Sequence, residues 1–483
     1  MSTKSDRTAA SLIHNRWVER LSLCFVAWAE KWCPDAYVFV LAASVIVAFA
    51  AIAHGGHPVA VSKAFGDGFW SIIPLTMQIA MAAITGYVLA MSPPVSKLLR
   101  GTARLPRTSR GAVVFVGVLS IALSLANWSF SLVYSGLLVR EIARREDMLL
   151  DYRAAGAAGY LGLGCGFTLG ISSPATQLQA TAGSIPAALM RITGVIGFNE
   201  TIFTWQTLVI VLLVTAVSAF VCYVTSPSDG KAKTAKDLGI DLNDDRPVLT
   251  RRERTGDYLE FSPILSLGLI ALSAGWLWDS FKSGNPFIAM SQLNNYNFVF
   301  LLLAIALHWY PRSFLDSFRR AMPSVAGVML QFPFYGGISY MLTKVANAGG
   351  HTLSDSIAQW FVSFGHDSFF FSVLVGLYSS LLGFLVPSAG GKWVVEAPYV
   401  MSAANQLHAH LGWTVMVFNI AETLPNLINP FWMLPLLGIL KLRSKDLAGF
   451  TAFQFLIHFP IAIVVAACLM STFTYHPAFI PSH

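Results

Sequence analysis

The run AYVFVLAASVIVAFAAIA at residues 36–53 carries no charge, no Pro and no Gly. A segment this long and apolar crosses a bilayer as one helix, because a helix satisfies its own backbone N–H and C=O groups in lipid. Runs of the same or nearly the same kind recur at 71–91, 203–225, 262–281, 322–344 and 449–471. The chain therefore reads as an all-α polytopic membrane protein, with the lipid bilayer as its first partner. Charged residues make up 12% of the 483, about half the roughly 25% usual in soluble domains. The net charge of +7 then marks cytoplasmic loops, and no nucleic-acid partner is expected. The five cysteines (Cys24, Cys33, Cys165, Cys222, Cys468) are scattered without a CxxC, which argues against disulfides and thiolate metal sites.

Loop charge orients the spans. Lys4, Arg7, Arg16, Arg20 and Lys31 precede the first run and put the N-terminus in the cytoplasm. That run begins too late for a cleaved signal peptide. The stretch before it, SLIHNRWVERLSLCFVAWAEKW, suits a helix lying on the membrane surface, or else a disordered tail. Segment 54–70 has one Lys and reads as an outside loop, whereas Lys97, Arg100, Arg104, Arg107 and Arg110 mark 92–110 as inside.

Residues 111–139 are uncharged, yet Arg140, Arg144 and Arg145 follow, so both flanks lie inside. Twenty-nine residues are too few for two crossings of about 20 each. A re-entrant hairpin with its tip at SLANWS (124–129) resolves the conflict. Residues 154–190 form another uncharged run, interrupted by Gly170-Ile-Ser-Ser-Pro174, and read as a broken span. After the hydrophilic segment 226–260, spans are expected at 262–281, 295–311 and 322–344. The stretch GFLVPSAGGKWVVEAPYV (383–400) sits in a second hairpin, 368–400. Its Lys392 is the only Lys or Arg between Lys344 and Lys441, so its flanks read as outside. A second broken span at 413–440 and a final span at 449–471 leave the C-terminus external.

About nine full spans and two hairpins make every charged loop agree. The division is an N-terminal tail and interfacial helix (1–35), a first membrane repeat (36–225) with hairpin 111–139, and a cytoplasmic charged loop (226–260). A linking span (261–282), a second repeat (283–471) with hairpin 368–400, and an external tail (472–483) complete it. A shift of 259 places Val114, Val116, Gly117, Ser120, Leu123 and Ser129 on Val373, Val375, Gly376, Ser379, Leu382 and Ser388. One hairpin enters from inside and the other from outside. That is the inverted-topology repeat of many secondary transporters.

Irregular backbone at membrane depth is tolerated where it is enclosed by protein or lines a wet cavity. Half-helix N-termini attract anions there, and unwound carbonyls attract cations. Four elements should therefore converge: the SLANWS tip, GISSPATQ (170–177), the VPSAGGKW tip and AETLPNLINPFW (421–432). The candidate substrate-binding residues are Asn127, Ser129, Ser173, Thr176, Gln177, Ser388, Gly390, Gly391, Lys392, Asn426 and Asn429. Hydrogen bonding between packed helices is the other use for such side chains. Glu422 is the only formal charge in 397–440. An ionisable group at that depth costs about 2.5–3.5 kcal/mol on insertion scales. It is the candidate ion-coupling residue, for a cation or a proton, with a structural hydrogen bond as the alternative. Lys392 and Glu396 sit four apart and can pair with each other, or Lys392 can face a substrate carboxylate.

Other motifs carry less. The glycines of 154–170 suit close helix packing better than a nucleotide loop, since no strand precedes them. His408 and His410 lack a third ligand nearby in sequence and read as a plain external loop, so no metal is expected. No HExxH, GxSxG or Walker pattern appears, which argues against an enzyme.

LVPSAGGKWVVEAPYVM and NLINPFWMLPLLGIL, with GDGFW (66–70) and DYRAAGAAGY, resemble the bacterial short-chain fatty acid transporter family over almost the whole chain. The resemblance implies a multi-pass inner-membrane permease for small monocarboxylates such as butyrate or acetoacetate, without a cofactor but with Na⁺ or H⁺ as coupling ion. Its wider superfamily implies paired hairpins, alternating access by a mobile domain beside a scaffold, and a homodimer. Pro387, Ser388, Gly390, Gly391, Trp393, Asn426, Pro430, Phe431 and Trp432 stand where the family pattern has them. Lys392 and Glu396 replace glutamines of that pattern and Glu422 an aspartate, which leaves a dicarboxylate or another small organic anion as the alternative substrate.

Overall fold

The computed structural model describes residues 36–227, 232–242, 254–282, 286–365, 367–385, 389–429 and 431–478. The expected interfacial helix in 1–35 and the tip residue Ser388 lie outside them. Regular structure among the described residues is helical, apart from one isolated bridge between Ala346 and Thr352. Among the described residues six helices are long and apolar enough to cross a membrane, or seven if Pro311–Ala321 and Ala326–Lys344 form one bent span. The protein is a polytopic α-helical membrane protein. The count of nine expected from loop charge exceeds what length and apolarity alone select, because several apolar helices are short. Val40–Ala53, Leu293–His308 and Ser368–Phe384 are of this kind.

One boundary differs from the sequence reading. Residues 58–71, expected in an outside loop, form the helix Pro58–Ser71, which His57 Nδ1 caps by accepting the N–H of Val59. The helix exists because its Val61, Ala64 and Gly68 face packs onto Ala326–Lys344. A Cβ on Gly68 would lie 2.4 Å from Gly336 O, so only glycine allows this approach. A break at Ile72 leads into Ile73–Ala90.

The helices sort into two groups. A scaffold consists of Ala36–Ala53, Pro58–Ser71, Ile73–Ala90, Leu293–His308 and Ala326–Lys344, with Ile264–Lys282 on its outer side. The second group holds both hairpins, both broken spans, and the helices Trp205–Thr225 and Ser444–Met470. The groups meet where Ile73–Ala90 packs on Trp128–Ala143 and where Ala326–Lys344 packs on Ala389–Gln406.

Both hairpins fold back on themselves. In the first, Ser109–Ala126 and Trp128–Ala143 are arms, and Ser131 Oγ donates to Ser120 O at 2.6 Å. In the second, Ser368–Leu385 and Ala389–Gln406 are arms, and the hydroxyls of Tyr378 and Tyr399 meet at 3.0 Å. Ser120 and Ser379, matched by the 259-residue shift, do the same job. Each offers its carbonyl to a side-chain donor of the returning arm, Ser131 and Lys392 respectively. The packing of the first arms also recurs. Ser109–Ala126 touches Trp205–Thr225, as Ser368–Leu385 touches Ser444–Met470.

In the most apolar stretch of the broken first span, Tyr152–Ala180, 94% of the residues are buried, whereas in that of Ile264–Lys282 11% are. Lipid tolerates an exposed regular helix but not an exposed break. The 232–242 part of the charged loop is docked rather than free. Tyr152 N–H donates to Lys233 O, Asp151 Oδ2 accepts the N–H of Lys233, and Arg140 donates to Leu242 O.

Candidate functional site

Each of the four interruptions has a local cause. At Asn127 the backbone turns extended, and Asn127 Oδ1 accepts the N–H of Phe130 to start the returning arm. In the first broken span the helix passes through a wide turn at Gly162–Gly166 and a tight one at Phe167–Leu169 before Gly170. Ser173 then caps Pro174–Ala180. Gly170 presses on the first hairpin so closely that a Cβ would sit 2.2 Å from Leu125 O. The returning arm of the second hairpin starts at Ala389. The second broken span stops being α-helical at Thr423, tightens over Leu424–Leu427, and resumes at Phe431–Met433 and Leu434–Leu440.

All four interruptions, and the scaffold, line one cavity. Its walls are Trp128 of the first tip, Leu163, Phe167 and Pro174 of the first broken span, Ala389 and Gly390 of the second tip, and Asn426 and Trp432 of the second broken span. Ile79, Val328 and Phe332 close it from the scaffold. About 420 Å³ of space lies between these atoms, the open mouth included. Trp128 and Trp432 meet edge to face at 5.5 Å. The wall is thus mostly apolar, with one helix start, at Trp128, and one amide, Asn426, whose Oδ1 is buried without a hydrogen-bond partner among the described residues.

Of the sequence candidates, Gly390 and Asn426 are on this wall. Gly390 has no spare room, since a Cβ there would meet Pro174 Cβ at 3.0 Å and Phe332 at 3.3 Å. The others stand behind it. Asn127 ties the first tip to the scaffold, donating from Nδ2 to the Tyr296 hydroxyl at 3.0 Å. Ser129 is buried in the first turn of the returning arm. Ser173 Oγ donates to Asn419 Oδ1 at 3.2 Å, Thr176 Oγ1 to Ser173 O, and Gln177 Nε2 to Ile171 O. Gly391 is buried beside Gly390, and Asn429 Nδ2 donates to Phe384 O at 3.2 Å.

Lys392 and Glu396 pair as their spacing expects, at 3.4 Å, and the structure adds Glu422 as a third member. The Lys392 ammonium touches Glu422 Oε2 and donates to Ser379 O, while Ser379 Oγ donates to Glu396 Oε2 at 2.5 Å. All three charged side chains are buried, with residue exposures of 2% for Lys392, 0% for Glu396 and 1% for Glu422. Lys392 Nζ also lies 5.2 Å from the centre of the Phe418 ring.

Sequence reasoning missed most of the apolar wall, because Trp128, Phe167 and Phe332 look like any other membrane-helix aromatic. It also missed Asn419, which joins the broken spans by accepting from Ser173 and, through its carbonyl, from Thr168.

The histidine reading needs correction. His410 is not in a plain loop: Glu200 and His476 lie beside it, with one donor atom of each within 4.8 Å. His410 Nδ1 accepts the N–H of Trp413 at 3.0 Å and its ring stacks on Phe473. His476 Nε2 stands 3.0 Å from Glu200 Oε2. Residues 200 and 476 are too far from 410 in sequence for the cluster to be read there. Because the Nδ1 lone pair is committed to the helix cap, burial and the neighbouring His476 keep His410 neutral, pushing its pKa down to about 4.

The sequence matches the family described as short chain fatty acid transporter over residues 17–470. An Escherichia coli K12 protein described as a short-chain fatty acid transporter is 31% identical over 439 residues, covering 90% of this chain and 96% of that protein. A Haemophilus influenzae protein of the same description is 30% identical over 459 residues, with 92% and 99% covered. Among solved structures, the YdaH transporter of Alcanivorax borkumensis superposes with a TM-score of 0.55 at 14% identity, over 91% of this chain and 99% of that one. Neisseria gonorrhoeae MtrF, from a class of antimetabolite efflux pumps, gives 0.53 at 14%, over 94% and 97%. At that identity the likeness concerns the fold.

Proposed function

The chain belongs to the short-chain fatty acid transporter family, and from that premise we propose that it is a secondary transporter for small monocarboxylates such as butyrate or acetoacetate. The observation that carries this reading is the apolar cavity with a helix start, at Trp128, on its wall. Helix starts favour a carboxylate through unpaired N–H groups and the helix dipole. The NH₂ group of Asn426 can add a hydrogen bond to the same oxygens. Trp128, Phe167, Phe332 and Trp432 offer a short alkyl tail an apolar surface.

The wall also argues for one carboxylate rather than two. Among the described residues no Lys, Arg or His lines the cavity, so a second carboxylate would lose its hydration without a partner. The cavity lies between the scaffold and the hairpin group, so rocking one against the other would open it to alternate sides. In this reading the membrane is the bacterial inner membrane, the N-terminus is cytoplasmic, the two hairpins enter from opposite faces, and the mechanism is alternating access.

The test is uptake of labelled butyrate and acetoacetate by proteoliposomes, with protein-free vesicles subtracted to remove passive permeation of the protonated acid. Saturable uptake competed by monocarboxylates and not by dicarboxylates is expected. Gly390→Val, which fills the cavity against Pro174 and Phe332, should abolish it. Neither saturable uptake nor counterflow under any gradient would refute the proposal.

A further inference from the structure

We infer that Lys392 serves as a tethered cation in a proton-coupling site formed with Glu396 and Glu422, so that transport is coupled to H⁺ and independent of Na⁺. This rests on the transporter reading above. Its own basis is the geometry of the buried triad.

The first argument is coordination. Backbone carbonyl and carboxylate oxygens gathered in an enclosed pocket are the ligands of a small hard cation. Here Glu396 Oε1, Glu422 Oε2 and Ser379 O are gathered in that way, and the Lys392 ammonium occupies their centre. The ammonium donates to Ser379 O and stands within ion-pair distance of both carboxylates. Gly383 packs against it from the facing arm. A Cβ on Gly383 would lie 3.4 Å from Lys392 Nζ, 3.2 Å from Glu422 Oε2 and 3.0 Å from Pro425.

The second argument is charge. One ammonium and two carboxylates sum to −1, and all three groups are buried. No other Lys, Arg, Asp or Glu occurs in 368–440, the two hairpin arms and second broken span that build the site. An uncompensated buried charge costs several kcal/mol, and a proton on one carboxylate removes it. The exchange balances simply: one carboxylate O–H bond forms with H⁺ taken from water on one side and breaks on the other.

The third argument is position. Lys392 is two residues from Gly390, and Glu422 is four from Asn426, both on the cavity wall. A bound substrate carboxylate therefore adds negative charge next to the triad and makes release of the proton costlier. Proton and carboxylate bind together and leave together.

Other titratable groups on the packed elements are engaged elsewhere. Tyr378 and Tyr399 bond each other. His458 is held by Ser218, Val214 and Gln454, His410 by Trp413, and Asp355 by Thr352. Lys344 sits over the Tyr340 ring, and Arg191 is exposed.

The experiment uses the full-length protein in proteoliposomes with labelled acetoacetate, corrected by protein-free vesicles. Replacing Na⁺ by choline should leave the initial rate unchanged. An inward proton gradient of one pH unit adds a driving force of about 1.4 kcal/mol, about tenfold in accumulation for one proton per substrate. A pH dye trapped inside should report acidification on substrate addition. The double substitution Lys392→Gln with Glu396→Gln vacates the cation position and should make uptake Na⁺-dependent; failure to acquire that dependence would overturn the tethered-cation assignment. Wild-type uptake that requires Na⁺ and ignores the pH gradient would overturn the inference and leave the transporter reading standing. Absence of both saturable uptake and counterflow removes both. The wild-type measurements decide the matter even if the double variant does not fold.

Discussion

The two hairpins share an arm-to-arm construction but differ in the chemistry of their described contacts. The first tip is fixed to the scaffold by neutral hydrogen bonds. Tyr296 donates to Ala126 O at 2.8 Å and accepts from Asn127 Nδ2. Gly86 makes the approach possible, since a Cβ there would lie 2.0 Å from Asn127 Oδ1. The second hairpin holds Lys392 and Glu396, which pair with each other and, through Lys392, with Glu422 of the second broken span, and at Gly390 it lies against Phe332 of the scaffold. Hydrogen bonds across the group boundary have to be exchanged if the groups move. Apolar contacts slide at lower cost than such bonds are exchanged.

The largest effect should come from breaking the triad. Lys392→Ala leaves two buried carboxylates without their cation, and losing one partner of a buried pair costs about 3–5 kcal/mol. Melting in detergent should therefore fall sharply, whereas the neutral pair Lys392→Gln with Glu396→Gln should melt much closer to wild type. Equal melting of the single and double variants would show that the charges are not coupled.

A smaller effect is expected at the first tip. Tyr296→Phe removes the hydroxyl that serves both Ala126 and Asn127, and unsatisfied buried polar groups cost about 1–3 kcal/mol. Stability should drop by that order, with a change in uptake rate because the bond crosses the group boundary. A variant with unchanged stability would mean that the tip is not anchored there.

The smallest effect concerns the caps of the broken spans, which again differ between halves. Asp151 caps the first by accepting from Arg153 and Ala154, and His410 caps the second. His410 has its folded pKa lowered from 6.5 to about 4, so the unfolded chain binds more protons between those values. Its stabilising contribution is present above pH 6.5 and is lost as pH falls toward 4. Melting should decline over that window, and less steeply in His410→Asn, which keeps a cap acceptor that does not titrate. Identical pH profiles would discount the cap.

Much of the architecture was legible in the chain. The hairpins followed from the lengths of 111–139 and 368–400 against the charges around them, and the breaks at Gly170–Pro174 and after Thr423 followed from Gly and Pro in apolar runs. Residues 58–71 were not legible as a helix, because that helix depends on the Gly68–Gly336 approach rather than on its own composition. For the site, Gly390 and Asn426 were identified while the surrounding Trp128, Phe167 and Phe332 side chains were not, since an apolar residue facing a cavity is spelled like one facing lipid.

The sequence by itself determined where backbone had to leave lipid, because apolar length and charge placement obey a one-dimensional constraint set by bilayer thickness. Only the tertiary structure decided which polar groups face the cavity and which face one another. Glu422 reaches Lys392 from another helix, Tyr296 reaches Asn127 from the scaffold, and Glu200 and His476 reach His410 from distant segments. Electrostatic and hydrogen-bond energies depend on distance in space, and no spacing along the chain encodes those meetings.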